Sequence, residues 1–420
     1  MRHPCGIAKR RRLWQYPPER EVTESAMTAT FKHLWALDTA KIHLNHGSFG
    51  ACPTAILEHQ RRLRDEMEAS PTDFFVRRSP DMLTAARTEL SRFLNADPEG
   101  MTFVPNATAG VNGVLRSRHW KKGDAILTTK LLYPACRNAL AFIAEEFGVT
   151  VNMIDIPYPP KSADDIVERI VAAATPATRL ALIDHVTSST ALVLPIARIV
   201  AELKKKGIPT LVDGAHGPGM TPLDLTKIGA AWYTGNCHKW LCTPIGSAFL
   251  WVAPEERERT YPLSISNYFY TPEGRAGFRA AFDWTGTADL TPFLCIGEGI
   301  RFMGSLLPGG WEELRNRNNT LVRQMAPVVA KALKTTAPEL GDLNGSMVTI
   351  PIPWLPYTVE ANNLHPLMNR LYARHGIEVM ITCIPDGRSA LRISAQIYNE
   401  PADYEALATA LSQELPALRS

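Results

Sequence analysis

Leu211-Val212-Asp213-Gly214-Ala215-His216 (LVDGAH), followed by Tyr233-Thr234-Gly235-Asn236-Cys237-His238-Lys239-Trp240 (YTGNCHKW), is the stretch from which the rest of the chain can be read. Pro209 to Val212 is a short apolar run of strand character, and Gly214 lets the chain turn as soon as Asp213 has left it. Ala231-Trp232-Tyr233 is a second such run, leading out through Thr234 and His238 to Lys239. Buried strands of this kind belong to parallel sheets, whose ligands sit at the carboxyl ends of the strands. An acid and an amine therefore arrive at one edge. These are the two protein groups that pyridoxal phosphate requires: a lysine to hold its aldehyde as a Schiff base, and a carboxylate to keep its pyridine nitrogen protonated. The protonated ring then accepts the electrons left when a bond to an amino acid α carbon breaks. Trp240 beside the lysine predicts partial desolvation, which lowers the amine pKa and leaves it nucleophilic. Taken singly, Lys239 reads as a surface lysine and Asp213 as a helix cap. The pair, with the motifs below, points to chemistry.

Outward from this stretch, short apolar strands alternate with amphipathic helices. The spacing predicts strands at Ile42 to Leu44, Met101 to Val104, Ala125 to Thr128, Val149 to Ile156, Arg179 to Asp184, Thr210 to Val212, Ala231 to Tyr233 and Ser247 to Val252. Asp164 to Ala174 places Ile166, Val167, Ile170 and Val171 on one helical face, and Ala197 to Lys206 does the same with Ile199, Val200 and Leu203. This alternation predicts an α/β fold with a mostly parallel sheet covered on both sides. Beyond Gly304 the pattern changes. A long helix from Gly310 to Leu333, strands near Met347 to Pro351, Ile377 to Ile381 and Ala390 to Ser394, and a last helix from Ala402 to Leu415 predict a smaller α+β domain. The expected organisation is a disordered tail over residues 1–26, a large cofactor-binding domain with its N-terminal segment over 27–300, and a small C-terminal domain over 301–420. Met27, where the ordinary sequence begins, is an alternative start. No internal repeat is visible.

The 420 residues carry 45 Lys and Arg against 42 Asp and Glu, a formal net charge of +3. Such balance gives no reason to expect nucleic acid. Basic residues cluster only at Lys9-Arg10-Arg11-Arg12 and at Lys204-Lys205-Lys206. The second cluster ends a helix before Gly207, where it complements the helix dipole. Seven cysteines, an odd number without a CxxC pair, predict reduced thiols in a cytoplasm. No apolar run is long enough to cross a bilayer, and no export signal follows the early arginines.

A phosphate needs backbone donors at a helix start. Pro105-Asn106-Ala107-Thr108-Ala109-Gly110 offers small residues and the Thr108 hydroxyl directly after a strand. It lacks the Walker spacing and lysine, and by itself it also reads as a helix cap worth about 1 kcal/mol. Arg392 stands between Leu391 and Ile393, as on a strand that turns one polar residue toward a cleft. Its planar guanidinium can take an amino acid carboxylate through two parallel hydrogen bonds. A structural salt bridge is the alternative.

LNHGSFGACP at 44–53, NATAGVN at 106–112, DHVTSSTALVLP at 184–195, DGAH at 213–216, GNCHKW at 235–240, DWTGTAD at 283–289 and LRISAQIYN at 391–399 resemble the isopenicillin N epimerase-like branch of the class V aminotransferases. The resemblance runs roughly from Leu37 to Leu415, with the motifs in order. It implies the pyridoxal-phosphate-dependent transferase fold of the aspartate aminotransferase type I, with Lys239 as the Schiff-base lysine and Asp213 as the partner of the pyridine nitrogen. It also implies the Ala107 backbone, Thr108, His238 and Thr234 at the phosphate, Tyr133 stacked on the ring, and Thr187 or Ser188 with His216 near the ring hydroxyl. Thr287, beside Gly286, would reach the phosphate of a second subunit, which makes a homodimer with shared active sites the expected assembly. Arg392 and Asn45 are expected at the carboxylate of an amino acid substrate, and His46 with Arg77 or Arg78 at the rest of it. Phe49, Phe74, Phe75, Tyr268, Phe269 and Tyr270 read either as a roomy pocket or as core and interface.

Family resemblance implies the first chemical step more firmly than the last. Epimerisation needs a proton removed from one face by Lys239 and returned to the other by a second acid, Tyr133 or a water. A C–S lyase would use the same base and expel sulfur. A cysteine desulfurase would need a thiolate on a mobile loop, for which Cys383 is the candidate. Two further readings come from other classes: a zinc site gathered from Asp184, His185, Asp213, His216 and His238, and a noncatalytic protein on the same fold. No compact metal signature is present, and the intact Asp213, Lys239 and Arg392 argue against a decayed site.

Overall fold

The computed structural model describes residues 31–418, so the stretch 1–26 with its arginine cluster lies outside the described residues. Along the chain the elements are β1 (Ile42–His43), α1 (Thr54–Ala69), α2 (Ser79–Phe93), β2 (Met101–Val104), α3 (Ala107–Ser117), β3 (Ala125–Thr129), α4 (Pro134–Phe147), β4 (Thr150–Ile154), α5 (Ala163–Ala172), β5 (Thr178–Asp184), α6 (Ile196–Lys205), β6 (Thr210–Asp213), α7 (Leu225–Ile228), β7 (Trp232–Asn236) and β8 (Ala248–Val252). A small ribbon, β9 (Tyr270–Thr271) with β10 (Gly274–Arg275), precedes α8 (Phe278–Asp283), α9 (Thr291–Leu294) and α10 (Ile296–Ser305). The C-terminal part holds α11 (Gly310–Ala332), β11 (Met347–Pro356), α12 (Pro366–His375), β12 (Ile377–Glu378), β13 (Met380–Cys383), β14 (Arg388–Ser394) and α13 (Pro401–Glu414).

Seven strands form the main sheet in the order β2-β8-β7-β6-β5-β3-β4. From β7 to β4 the neighbours are parallel, while β8 runs antiparallel to both β7 and β2. The sheet is α/β and mostly parallel, as the alternation predicts. Its central strands β3, β6, β7 and β8 are buried at every position, because helices cover both faces and leave no polar side. Val111, Val114, Leu140 and Ile143 pack from one face, and Ile166, Ile170, Ile199 and Leu203 from the other. The edge strand β4 is only partly buried.

The smaller antiparallel sheet, β11-β14-β13, shares an apolar core with α11 and α13 through Val322, Val329, Ile350, Leu391, Leu407 and Leu411. The predicted strand from Ile377 to Ile381 divides at Val379 into β12 and β13. β12 turns aside to pair in parallel with β1, Ile42 opposite Ile377 and His43 opposite Glu378, so the N-terminal segment is tied to the C-terminal part of the chain. Among the described residues no helix is long and apolar enough to cross a membrane.

Two glycines after Asp213 are required by one ring. A Cβ at Gly214 would overlap the Tyr233 ring and one at Gly217 its hydroxyl, which itself contacts His185 Nδ1 at 2.9 Å. Gly217→Ala is therefore expected to lower stability by about 1–3 kcal/mol through overpacking, with Tyr233→Phe restoring part of that loss in the double variant. Urea midpoints of the four proteins check it; strictly additive effects would show that the hydroxyl is not the obstacle.

Candidate active site

β6 ends in Asp213, in register with Asp184 at the end of β5 and with Thr234 on β7. The chain leaving β7 turns through His238 to Lys239, so Asp184, Asp213, His238 and Lys239 open onto one cavity of about 480 Å³. Asp213 is buried. Its Oδ1 accepts from the Ala215 N–H at 3.0 Å and its Oδ2 from the Cys136 thiol at 3.1 Å. Asp184 is buried beside it, with Oδ2 lacking a protein partner among the described residues. Burial raises both carboxyl pKa values, and the neighbouring Asp213 charge raises that of Asp184 further. Two carboxylates this close and this dry resist joint ionisation.

Lys239 is held by its backbone as much as by its side chain. His46 Nε2 donates to the Lys239 carbonyl at 2.9 Å, and His46 Nδ1 accepts from the Tyr398 hydroxyl at 2.8 Å. Burial brings the His46 pKa down to about 3, so the ring is a neutral bridge rather than the substrate contact expected from sequence. Gly50 packs against the backbone of His238 and Lys239, where no side chain would fit. The Lys239 amine lies 3.3 Å from His216 Nε2. His216 Nδ1 accepts from Trp240 Nε1 at 3.3 Å, which places the proton of the neutral imidazole on Nε2 and matches it to an unprotonated amine. Burial, then the Lys239 charge, depresses the His216 pKa. For Lys239 itself, burial and then the Arg392 charge lower the pKa to about 8, against a smaller opposing pull from Asp213.

At the start of α3, Asn106 caps the helix by accepting from the Ala109 N–H at 2.9 Å. The Ala107 N–H, expected at the phosphate, is already given to Asn236 Oδ1 at 2.8 Å. The Thr108 N–H and hydroxyl, facing the same cavity, have no protein acceptor among the described residues. His238 also lines the cavity, but its Nδ1 donates to the Ser247 carbonyl at 2.9 Å and burial lowers its pKa to about 4. Its Nε2 can donate to an anion only after taking up a proton.

Three expected contacts are not brought to this cavity. Thr234 is buried under Gly110 and donates to the Phe249 carbonyl at 2.8 Å. Thr187 holds its own turn, through Thr190 Oγ1 at 2.7 Å and the Leu192 N–H at 2.8 Å; Ser188 faces the cavity instead. Thr287 is exposed on the loop after α8, outside the cavity of its own chain. Arg77 and Arg78 are engaged at the surface with Asp73 and Glu66, and Phe74 is core.

Arg392, on β14, is buried and makes no ion pair among the described residues. Its Nη1 donates to the Ser188 carbonyl at 2.6 Å, its Nη2 to Ser48 Oγ at 2.6 Å and to Asn45 Oδ1 at 3.3 Å, and its Nε has no partner. Asn45 thus supports the guanidinium from behind. Burial lowers the Arg392 pKa to about 10. A buried cation without a counterion is costly, and an incoming carboxylate would relieve that cost. Tyr133 stands where this cavity meets a second one of about 580 Å³ that Arg392 also lines. Asn236 and Cys136 were missed by sequence reasoning, which considered Asp184 only as a zinc ligand. Asp184 ends an apolar run just before a histidine, as Asp213 ends one just before Gly214; the other two had no such signal.

A family model described as aminotransferase class-V matches residues 69–407. The chain belongs to that family. It is similar to isopenicillin N epimerase of Streptomyces clavuligerus, 34% identical over 89% of this chain and 95% of the relative, and to L-cysteine desulfhydrase of Arabidopsis thaliana, 27% identical over 94% of each. Among solved structures, the cystine C–S lyase C-DES in complex with cysteine persulfide superposes with a TM-score of 0.74 at 21% identity, over 89% of this chain and 98% of that one, which supports the fold. Enzymes of this family work with pyridoxal phosphate, and the residues present fit it: an amine and a carboxylate across one cavity, unpartnered donors at the start of α3, and a buried arginine without a counterion. No group of three His, Cys, Asp or Glu that could hold a metal occurs among the described residues; His185 turns to Tyr233 instead.

An amine must be unprotonated to capture an aldehyde. With Lys239 near 8, the rate of cofactor uptake by apoprotein should rise with pH to half its maximum close to pH 8, whereas an ordinary lysine would place that midpoint above 10. Absorbance development after mixing with pyridoxal phosphate between pH 6 and 11 checks it.

Proposed function

We propose that this class-V enzyme inverts the α carbon of an amino acid, as an epimerase. The observation that carries the reading is a lysine amine of lowered pKa and a buried arginine without a counterion, facing adjoining cavities close enough for one charge to depress the other. Similarity to isopenicillin N epimerase along nearly the whole chain supports it.

Pyridoxal phosphate, when bound, supplies an electron sink for bond breaking at the α carbon. Asp213 would stand against the pyridine nitrogen, where the Ala215 N–H, the Cys136 thiol and the charge of Lys239 favour its anion against the burial that raises its pKa. The Thr108 N–H and hydroxyl, with the positive end of the α3 dipole, would take the phosphate, and Asn236 would steady the turn by holding the Ala107 N–H. Arg392 would clamp the α-carboxylate through its open Nε edge, which fixes the orientation of the α-hydrogen. Lys239 Nζ would remove that proton from one face. Return to the other face would come from the Tyr133 hydroxyl or a water beside it, since Tyr133 is 41% exposed at the cavity mouth. One proton leaves and one arrives, with no net redox change.

Elimination at the β carbon shares the first step, and the desulfhydrase similarity keeps it as the competing outcome. Desulfuration through Cys383 fits poorly. Its turn is closed by Ile384 N–H to the Arg388 carbonyl at 3.0 Å and Gly387 N–H to the Ile384 carbonyl at 2.9 Å. Burial and Asp386 raise the thiol pKa, the opposite of what an attacking thiolate needs. The six described cysteines are free thiols, as a reducing cytoplasm would keep them.

α-Proton exchange in heavy water, followed by NMR with chiral analysis, tests the reading. Exchange with inversion is expected, abolished in Lys239→Ala and slowed about tenfold to a hundredfold in Asp213→Asn, as loss of a charge-assisted contact worth about 1.5–3 kcal/mol implies. Release of keto acid and ammonia without inversion would replace epimerisation by elimination.

The assembly we propose is a homodimer. Phe49 and Ile245 line the cavity yet are each 75% exposed, and Leu263, Ile265, Tyr268 and Tyr270 add further exposed apolar surface. Rimming a polar cavity with bare apolar side chains suits a face that a second copy covers, and that copy would bring its Thr287 loop to the phosphate. Light scattering should give twice the 46.5 kDa chain mass. Phe49→Asp with Ile245→Asp should shift the protein to monomer and weaken cofactor retention; a wild-type monomer with tight cofactor would refute the shared site.

A further inference from the structure

We propose that the chamber beyond Arg392 binds a second anionic group of the substrate, a carboxylate at the far end of its side chain, and that Arg137 is the partner of that group. The proposal rests on the α-carbon reading above and names its substrate class.

Tyr133 and Ser188 line both the inner cavity and this outer chamber of about 580 Å³, and Arg392, bonded to the Ser188 carbonyl, lines the chamber. An amino acid clamped by its α-carboxylate at Arg392 would have the chamber open to its side chain, with far more room than a cysteine fills. The charged residues lining the chamber are Lys130, Arg137 and Arg392, and no aspartate or glutamate is among them. Lys130 is already paired with Asp155 at 3.4 Å. Asp386, on the turn beside the chamber, is held by Arg388 Nε at 2.6 Å.

Arg137 differs from both. Its Nη2 donates to the Lys130 carbonyl at 3.0 Å and the Leu132 carbonyl at 3.4 Å. These bonds fix the guanidinium against the loop before α4 and leave Nε and Nη1 without a partner among the described residues. No carboxylate pairs with it. It also stands in the first turn of α4, which carries no acidic residue there and no side-chain cap. A cation at that end of a helix is disfavoured by the dipole. The guanidinium and the helix end thus build an uncompensated positive field at the chamber wall, the setting in which a carboxylate is favoured twice over. The structure therefore points to amino acids bearing a distal acid on a flexible chain.

The experiment uses the holoenzyme with L-glutamate, L-2-aminoadipate and L-2-aminopimelate, each against its ω-amide. Affinity is read from the change in cofactor absorbance on binding, which needs no turnover, and exchange of the α-proton is read separately. Because Arg137 is solvent-exposed, a preference of about three- to tenfold for at least one diacid over its amide is expected, shrinking with added salt. Arg137→Gln should bring the two affinities together, while Lys130→Gln should retain the difference. Equal affinities in the wild type, or a preference that survives Arg137→Gln, would overturn the assignment. Absence of α-proton exchange with every probe would instead overturn the epimerase reading and leave the binding result to stand on its own.

Discussion

Burying unlike charges without letting them neutralise one another is the constraint on which this structure turns. Asp213 and Arg392 are buried and Lys239 is half-buried around adjoining cavities, and none forms an ion pair with another. In a dry interior a closed ion pair would be inert. Held apart, the same groups keep their fields directed at the space between them, where the Arg392 charge lowers the Lys239 pKa and the Lys239 charge keeps that of Asp213 from rising further. Neutral hydrogen bonds do the holding: Cys136 and Ala215 on Asp213, His216 on Lys239, Ser48 and Ser188 on Arg392. Such preorganised groups need little rearrangement when charge develops nearby.

Three distant parts of the chain keep these groups in place. Asp213 and the approach to Lys239 come from adjacent parallel strands, so register alone sets their spacing. Arg392 comes from the smaller sheet, and its separation from Lys239 depends on how that sheet meets the larger one. The N-terminal segment supplies the clasp. It pairs through β1 with β12, donates from His46 to the Lys239 carbonyl, accepts from Tyr398, and presents Asn45 and Ser48 to Arg392. LNHGSFG is therefore mostly about alignment. Its histidine faces backbone, and Gly50 lets that backbone approach.

Much of this was legible. Strand ends at Asp213 and near Lys239 follow from short apolar runs broken by glycine, and the α/β alternation follows from the period of the apolar positions. What was not legible is which way a polar side chain turns once its neighbours are in place. Thr187 and Thr234 share their motifs with Ser188 and His238, yet their hydroxyls close a turn and a strand-to-strand contact. The Ala107 N–H stands at the right helix end, yet Asn236 reaches it from another strand. No local pattern records a partner more than a hundred residues away.

By itself the sequence determined that two strand ends would bring an acid and an amine to one edge of a largely parallel sheet, because periodicity and turn chemistry are local and survive any arrangement of the rest. Only the tertiary structure decided that a second carboxylate, Asp184, lies beside the first, that His46 grips the lysine backbone, and that Arg137 is left facing a chamber without an acid. Those outcomes depend on strand register, on burial and on side chains from remote segments competing for the same hydrogen bonds, none of which is encoded within a single motif.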